Sequence, residues 1–153
     1  MITTAVESLR EGIEELKVLL PIHYRELALN KDKVPLRPQY DQYFRLEESG
    51  NLLYVTLREA GRLVGYFIGF IRPHMHYETM MVCTMDIFYV DPEKRTANPR
   101  AGVKLFRAVE KEATRRGVHN LVVGSKLHKD ASVIFKYLGF DPIETYYAKW
   151  IGG

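Results

Sequence analysis

The sequence predicts a mixed α+β fold in a single domain spanning residues 1–153, and three observations carry that expectation. Apolar residues recur at helical spacing through the first third of the chain, then switch to strand-like runs from Leu52 onward. Two of those runs, "LLYVTLR" and "LVGYFIGFI", are separated only by "EAGR", which reads as a hairpin turn and so as an antiparallel pair. After Asp91-Pro92 the pattern alternates helix, strand, helix, strand.

Taken in order, Thr4 and Glu7 have capping-box spacing, and Val6, Leu9, Ile13, Leu16 and Leu20 then fall on one helical stripe. Pro21 is expected to stop or kink this helix, with "IHYRELALN" continuing as a second short helical piece that ends at the polar "NKDK". Pro38 can start a helix with Tyr40, Tyr43 and Phe44 on one side, and Gly50 lies just past its end. The hairpin follows, and "MMVCTMDIFYV" is a third strand closed by Asp91-Pro92. Asn98 reads as an N-cap with Pro99 at the first helical position, and Gly102, Phe106, Val109 and Ala113 line one face of the helix that Gly117 closes. "NLVVG" is a short buried strand. Asp130 can cap a helix that turns Ala131, Ile134, Phe135 and Leu138 inward and stops at Gly139, and "IETYYAKW" is expected to finish the chain as a strand.

A chain of 153 residues is long enough to bury a sizeable core, and its ordinary apolar content and mixed charge exclude a disordered chain. No apolar run is long enough to span a bilayer, and the first twenty residues lack the basic-then-apolar pattern of a secretion signal. A single cysteine, Cys83, excludes an internal disulfide and any cysteine-based metal cluster, so a reducing, cytoplasmic setting is the expectation. The net charge of +3 is unevenly spread, with Glu7, Glu11, Glu14 and Glu15 at the amino terminus and a basic zone from Lys94 to Lys129. Such a zone suits an anionic ligand, either the phosphates of a cofactor or nucleic acid; a solvated helix face is the plainer alternative. The junction "YVDPEKRTANPRAG" is the densest point, because Arg95 and Arg100 flank a helix start whose unpaired N–H groups favour an anion.

The element order, together with "DIFYVDPEKR", "VKLFRAVEKEATRRGV" and "FKYLGF", resembles the GNAT superfamily of acyl-CoA-dependent N-acetyltransferases over most of the chain, most clearly residues 52 to 150. "HYET", "KLHKD" and "LGFDPIETYYAKW" resemble the variant often encoded by bacteriophages and prophages. The resemblance implies a central mixed, mostly antiparallel, twisted sheet with helices on both faces. It also implies acetyl-CoA as co-substrate, a primary amine as acceptor, and direct attack without an acyl-enzyme. It places Phe88, Tyr89 and Val90 beside the pantetheine arm, and Arg95, Asn98, Arg100, Ala101, Gly102 and Val103 at the pyrophosphate. Members usually reach that turn through Arg/Gln-x-x-Gly-x-Gly/Ala; here Arg100 occupies the first glycine position, and two extra residues separate Arg95 from the turn.

For the chemistry, Asp86 is a carboxylate in an otherwise apolar strand and is expected on the same face as Phe88 by alternation, as base or water-positioner. The alternative is a structural carboxylate accepting hydrogen bonds. His74, His76 and Glu78 lie in a loop that often borders the acceptor cleft in this family. Two histidines at that spacing could also hold a metal, but no third ligand of convincing spacing appears, and no metal is expected. Phe135 stands where the family often has a tyrosine acid, next to the cofactor, and His128 is a stand-in for that acid. Two other readings stay open. One is a catalytically degenerate acyl-CoA-binding or host-interaction module of the same fold. The other is nucleic-acid binding through the basic zone, although its helix lacks interleaved aromatics. The final strand could also pair across a two-fold axis to make a homodimer.

Overall fold

The "EAGR" turn forms as expected. Ala60 (φ 50°) and Gly61 (φ 78°) both adopt left-handed backbone, as a two-residue hairpin loop requires, and they join β2 (Leu52–Glu59) to β3 (Arg62–Pro73). The computed structural model describes residues 1–153. The third expected strand is β4 (Met81–Val90), antiparallel to β3, and the helix of the basic zone is α4 (Ala101–Arg115). "NLVVG" forms β5 (Asn120–Val122), parallel to β4, and α5 (Ser132–Tyr137) follows.

The first residues do not start a helix. They form β1 (Ile2–Val6), antiparallel to β2, which completes a five-stranded sheet in the order β1-β2-β3-β4-β5. The cap lies four residues later than expected, with the same spacing: Ser8 Oγ accepts from the Glu11 N–H, and α1 runs Leu9–Leu27. Glu47 of α2 (Tyr40–Glu48) accepts from the N–H groups of Leu9 and Arg10, tying the start of α1 to the end of α2. Pro21 lies inside α1 and does not end it. The helix gives up one hydrogen bond there, while Leu16 and Leu20 before the proline and His23 after it stay buried on one face.

Alternation along the strands sorts the apolar residues into two cores. Leu52, Tyr54, Tyr66, Ile68 and Tyr89 pack against Leu9, Leu16 and Leu20 of α1, with Tyr43 and Phe44 of α2 at the margin. On the opposite face, Leu53, Val55, Phe67, Cys83 and Val90 pack against Leu105, Phe106 and Val109 of α4 and Phe135 of α5. The sheet is therefore mixed, mostly antiparallel and covered by helices on both faces.

Two further departures matter for the site. Asp91-Pro92, read as a strand ending, also opens a short helix α3 (Pro92–Ala97), with the Asp91 side chain accepting from the Glu93 N–H. α4 then begins at Ala101, two residues after the expected start, with Asn98 Oδ1 accepting from the Arg100 N–H across the intervening turn. The expected last strand does not form. Residues 141–153 belong to no helix or strand, and β5 remains the last strand of the sheet.

Candidate functional site

The site begins with a break in pairing along β4. β3 accompanies the whole of β4, but β5 pairs only with Val82, Cys83 and Thr84, so the other edge of β4 is open from Met85 to Val90. A β-bulge marks the same place. The β3–β4 register passes from Ile68↔Ile87 to Gly69↔Met85 and leaves Asp86 as the extra residue. Gly69 faces the bulge, where a Cβ would come within 2.7 Å of the Phe67 ring and 2.8 Å of Cys83 Sγ.

A cleft of about 560 Å³ opens beside that free edge. Its walls are Phe88–Val90 of β4, Asn98 and Pro99 before α4, Gly102 in its first turn, and Val133 and Ile134 of α5. Gly102 lets the two helices close on each other, since a Cβ there would lie 2.7 Å from Ile134 Cδ1. Lys126, His128 and Lys129 border the cleft from the loop before α5, and Glu26 and Arg95 also line it. Arg95 is ion-paired to Glu26. The cations of the lining without such a partner are therefore the two lysines.

A second group lies on the α1–α2 face of the same strand. The Tyr43 hydroxyl donates to Asp86 Oδ2, and burial holds the Asp86 carboxyl above the usual aspartate range, against the lowering effect of that hydrogen bond. His23 of α1 is buried, stacks on Tyr89 with ring centroids 5.0 Å apart, and shares a 2.7 Å hydrogen bond between Nδ1 and the Tyr66 hydroxyl. No buried side-chain nitrogen or oxygen lacks a partner in this chain, so His23 Nε2, which has none, reaches solvent. Tyr89 thus joins the two groups: it lines the cleft and carries the imidazole behind it.

Burial lowers the His23 pKa from 6.5 to about 4, with the nearby Lys126 charge adding to the effect and Glu26 opposing it. The folded chain thus resists a proton that the unfolded chain accepts. This contribution to stability is complete above pH 6.5 and is lost as pH falls toward about 4. Between pH 7 and 4.5, wild type should lose about 2–3 kcal/mol more unfolding free energy than His23→Gln, measured by urea titration.

The structure gathers some of the residues singled out from sequence and separates others. Phe88, Tyr89, Val90, Arg95, Asn98, Gly102 and His128 all line the cleft. Arg100 is exposed and does not line it, Ala101 is fully buried in the core, and Val103 is half-buried on a turn of α4 outside the lining. Phe135 is buried between Phe88, Phe106 and Phe140, behind the wall of the cleft. Asp86 is not on the same face as Phe88: the bulge breaks the alternation, so Asp86 meets Tyr43 of α2 while Phe88 packs on Phe106 of α4. His74, His76 and Glu78 stand beyond the Met81 end of β4, whereas the cleft is lined by Phe88–Val90 at the other end, about 23 Å along the strand from Met81 to Phe88 at 3.3 Å per residue. His74 Nδ1 accepts from the His76 N–H, and no three His, Cys, Asp or Glu side chains come together as a metal site. His23, Tyr43 and Tyr66 were not singled out. The available signal was His23 at i+3 from Leu20 and i+7 from Leu16, a polar residue on the buried stripe of a helix.

No protein-family model matches the chain, and no curated protein matches it. Solved structures do. The ribosomal-protein-alanine N-acetyltransferase of Brucella melitensis biovar Abortus 2308 superposes with a TM-score of 0.72 at 20% identity, covering 99% of this chain and 100% of its own. Glucosamine-6-phosphate N-acetyltransferase from Arabidopsis thaliana gives 0.72 at 11% identity, covering 99% of each chain. A predicted acetyltransferase from Clostridium acetobutylicum, solved with acetyl-CoA, gives 0.69 at 13% identity, covering 99% of this chain and 97% of its own. At these identities what is shared is the fold, and it is the GNAT acetyltransferase fold.

Proposed function

We propose that this chain is an N-acetyltransferase that takes acetyl-CoA as co-substrate and passes the acetyl group to a primary amine. The observation that carries the proposal is the open edge of β4, Met85 to Val90, running into a cleft that ends at the turn before α4. The residues present fit such a co-substrate. The free edge offers unpaired N–H and C=O groups to the amides of an extended arm. Phe88, Val90, Val133 and Ile134 offer apolar walls, and Lys126, Lys129 and the helix start offer charge and donors for phosphates.

When bound, acetyl-CoA supplies an activated thioester carbonyl and a thiol leaving group. A β4 N–H at the open edge is placed to donate to the carbonyl oxygen as negative charge develops there. Asp86 takes the proton that an ammonium acceptor must lose. A lysine-like amine near pKa 10.4 costs roughly 4–5 kcal/mol to neutralise at pH 7, so a base is required, and burial moves the Asp86 carboxyl toward the range where a base is effective. The amine comes from the α1–α2 face, where Asp86 and Tyr43 lie, and the arm from the cleft. His128 or water returns a proton to the departing sulfur. Cys83 does not serve as an acyl carrier: it is fully buried, and burial raises its thiol to about 11.

Phe135 favours a second reading, an acyl-CoA-binding module without turnover, because the family's usual acid is replaced by a ring sealed in the core. The likeness to the phage-encoded variant rests on the sequence stretches alone. Incubating purified protein with acetyl-CoA and a panel of primary amines, and following thiol release with mass analysis of the amine, separates the two readings. Thiol and acetylated amine appearing together support the transferase. Binding of acetyl-CoA with no thiol release across the panel supports the module.

A further inference from the structure

We propose that His23 is a binding residue of the cleft, its Nε2–H donating to an amide carbonyl of the co-substrate's extended arm. That role rests on the acetyl-CoA reading above and adds a side-chain contact from α1 to the backbone edge of β4. His23 is only 8% exposed, its Nδ1 is taken by the Tyr66 hydroxyl, and its Nε2 has no partner and reaches solvent. The surroundings of that atom are those of the cleft. Tyr89, on which the ring stacks, lines it, as do Glu26 and Leu27, one helical turn on from His23. Lys126, another lining residue, stands close enough for its charge to act on the imidazole. Strand order sets the direction. Tyr66 is on β3, Tyr89 is on β4, and the two nitrogens of an imidazole point away from each other. A ring held at Nδ1 from the β3 side and stacked on Tyr89 turns Nε2 toward the edge that β5 leaves open.

The proton on Nε2 follows from hydrogen-bond accounting. Tyr66 is fully buried and its hydroxyl has no other partner, so the hydroxyl proton goes to Nδ1. Nδ1 is then the acceptor, and the neutral ring carries its own proton on Nε2. Burial keeps the ring neutral, with its pKa lowered to about 4, so near pH 7 the cleft meets one uncharged N–H donor. Such a donor fits a carbonyl oxygen. It offers nothing to an ammonium group, which is itself only a donor, and it lacks the charge with which Lys126 and Lys129 suit phosphates. Position agrees with chemistry. Tyr89 lies three residues beyond Asp86, about 10 Å at 3.3 Å per residue, and ahead of the start of α4. Between the reacting carbonyl and the phosphates, the arm presents amides.

Nitrogen–proton NMR of the histidine rings tests this on the unaltered chain, with the His23 signals assigned from their loss in His23→Phe. The free protein should show a protonated Nε2 and a bare Nδ1. Saturating acetyl-CoA should shift the Nε2–H signal, whereas adenosine 3′,5′-bisphosphate, the nucleotide end without the arm, should leave it in place. Phe keeps a ring to stack on Tyr89, and adding Tyr66→Phe leaves no buried hydroxyl unpaired. By calorimetry both the single and the double variant should bind acetyl-CoA about three- to tenfold more weakly than wild type. A signal that acetyl-CoA leaves unmoved, one that the bisphosphate moves as far, or full affinity in both variants overturns the proposal and leaves the acetyl-CoA reading standing. A wild type that binds no acetyl-CoA overturns both.

Discussion

Asp86→Asn is expected to lower kcat by about 10²–10⁴ while leaving the affinity for acetyl-CoA within a few-fold, the range that general-base catalysis spans. The amide keeps the size of the side chain and still accepts from the Tyr43 hydroxyl, so the bulge of β4 is retained. Only the ability to take a proton is lost. The loss should be largest with an acceptor of high pKa and small with an α-amine near 8, which needs little help to be neutral at pH 7. Stability should move the opposite way. Burial raises the Asp86 pKa in the folded chain, so its contribution to stability is complete below the unfolded pKa and is lost as pH rises through the folded value. At pH 7 the wild type holds a poorly solvated charge that Asn removes, and the variant should melt a few degrees higher. An unchanged kcat across amines of different pKa would leave Asp86 a structural carboxylate.

Phe106→Ala should cost about 3–5 kcal/mol of stability. At 2–4 °C per kcal/mol for a chain of this size, that is a fall in melting temperature of about 10 °C. Phe106 is fully buried, and its ring meets Phe67 at 5.8 Å, Phe88 at 5.0 Å and Phe135 at 5.0 Å between centroids. It therefore joins β3, β4 and α5 from its place on α4. Removing the ring opens a cavity directly behind Phe88, which lines the cleft. The loosened wall should weaken acetyl-CoA binding even at temperatures where the variant stays folded. Scanning calorimetry measures the first effect and titration of acetyl-CoA at 15 °C the second. A loss under 1 kcal/mol would mean that the two cores are less separate than the packing indicates.

Much of the frame was legible because side-chain periodicity reports burial. Alternation in "LLYVTLR", the small Ala-Gly turn and the stripe Phe106, Val109, Ala113 all record which face meets a core, and each is seen in the fold. Backbone events left weaker marks. Nothing in "TMDIF" announces a bulge, and the bulge decides which face Asp86 takes. β1 was missed because Thr4–Glu7 and Ser8–Glu11 share one capping spacing, and only pairing with β2 selects the second. α3 was legible in principle, since Asp91-Pro92 carries the same cap-then-proline signature that located Asn98-Pro99. Within the site, the lining from Phe88 to Val90 followed from a resemblance, whereas the Arg95–Glu26 pair and the His23–Tyr66–Tyr89 contact join residues more than forty positions apart. No local pattern encodes such contacts. The tail is the remaining case: "IETYYAKW" has the composition of a strand, but a strand also needs a partner edge, and its own chain does not bring one to it.

The central claim is that the cleft beside the open edge of β4 holds acetyl-CoA, and calorimetric titration of acetyl-CoA into the wild type and into Lys126→Glu with Lys129→Glu tests it most directly. Both lysines are exposed at the mouth of the cleft, so the double variant should fold as the wild type does. The account predicts saturable one-site binding to the wild type, weakened at least about tenfold by the charge reversal and falling with added salt. No heat of binding to folded wild type, or binding that the reversed charges leave unchanged, would contradict it.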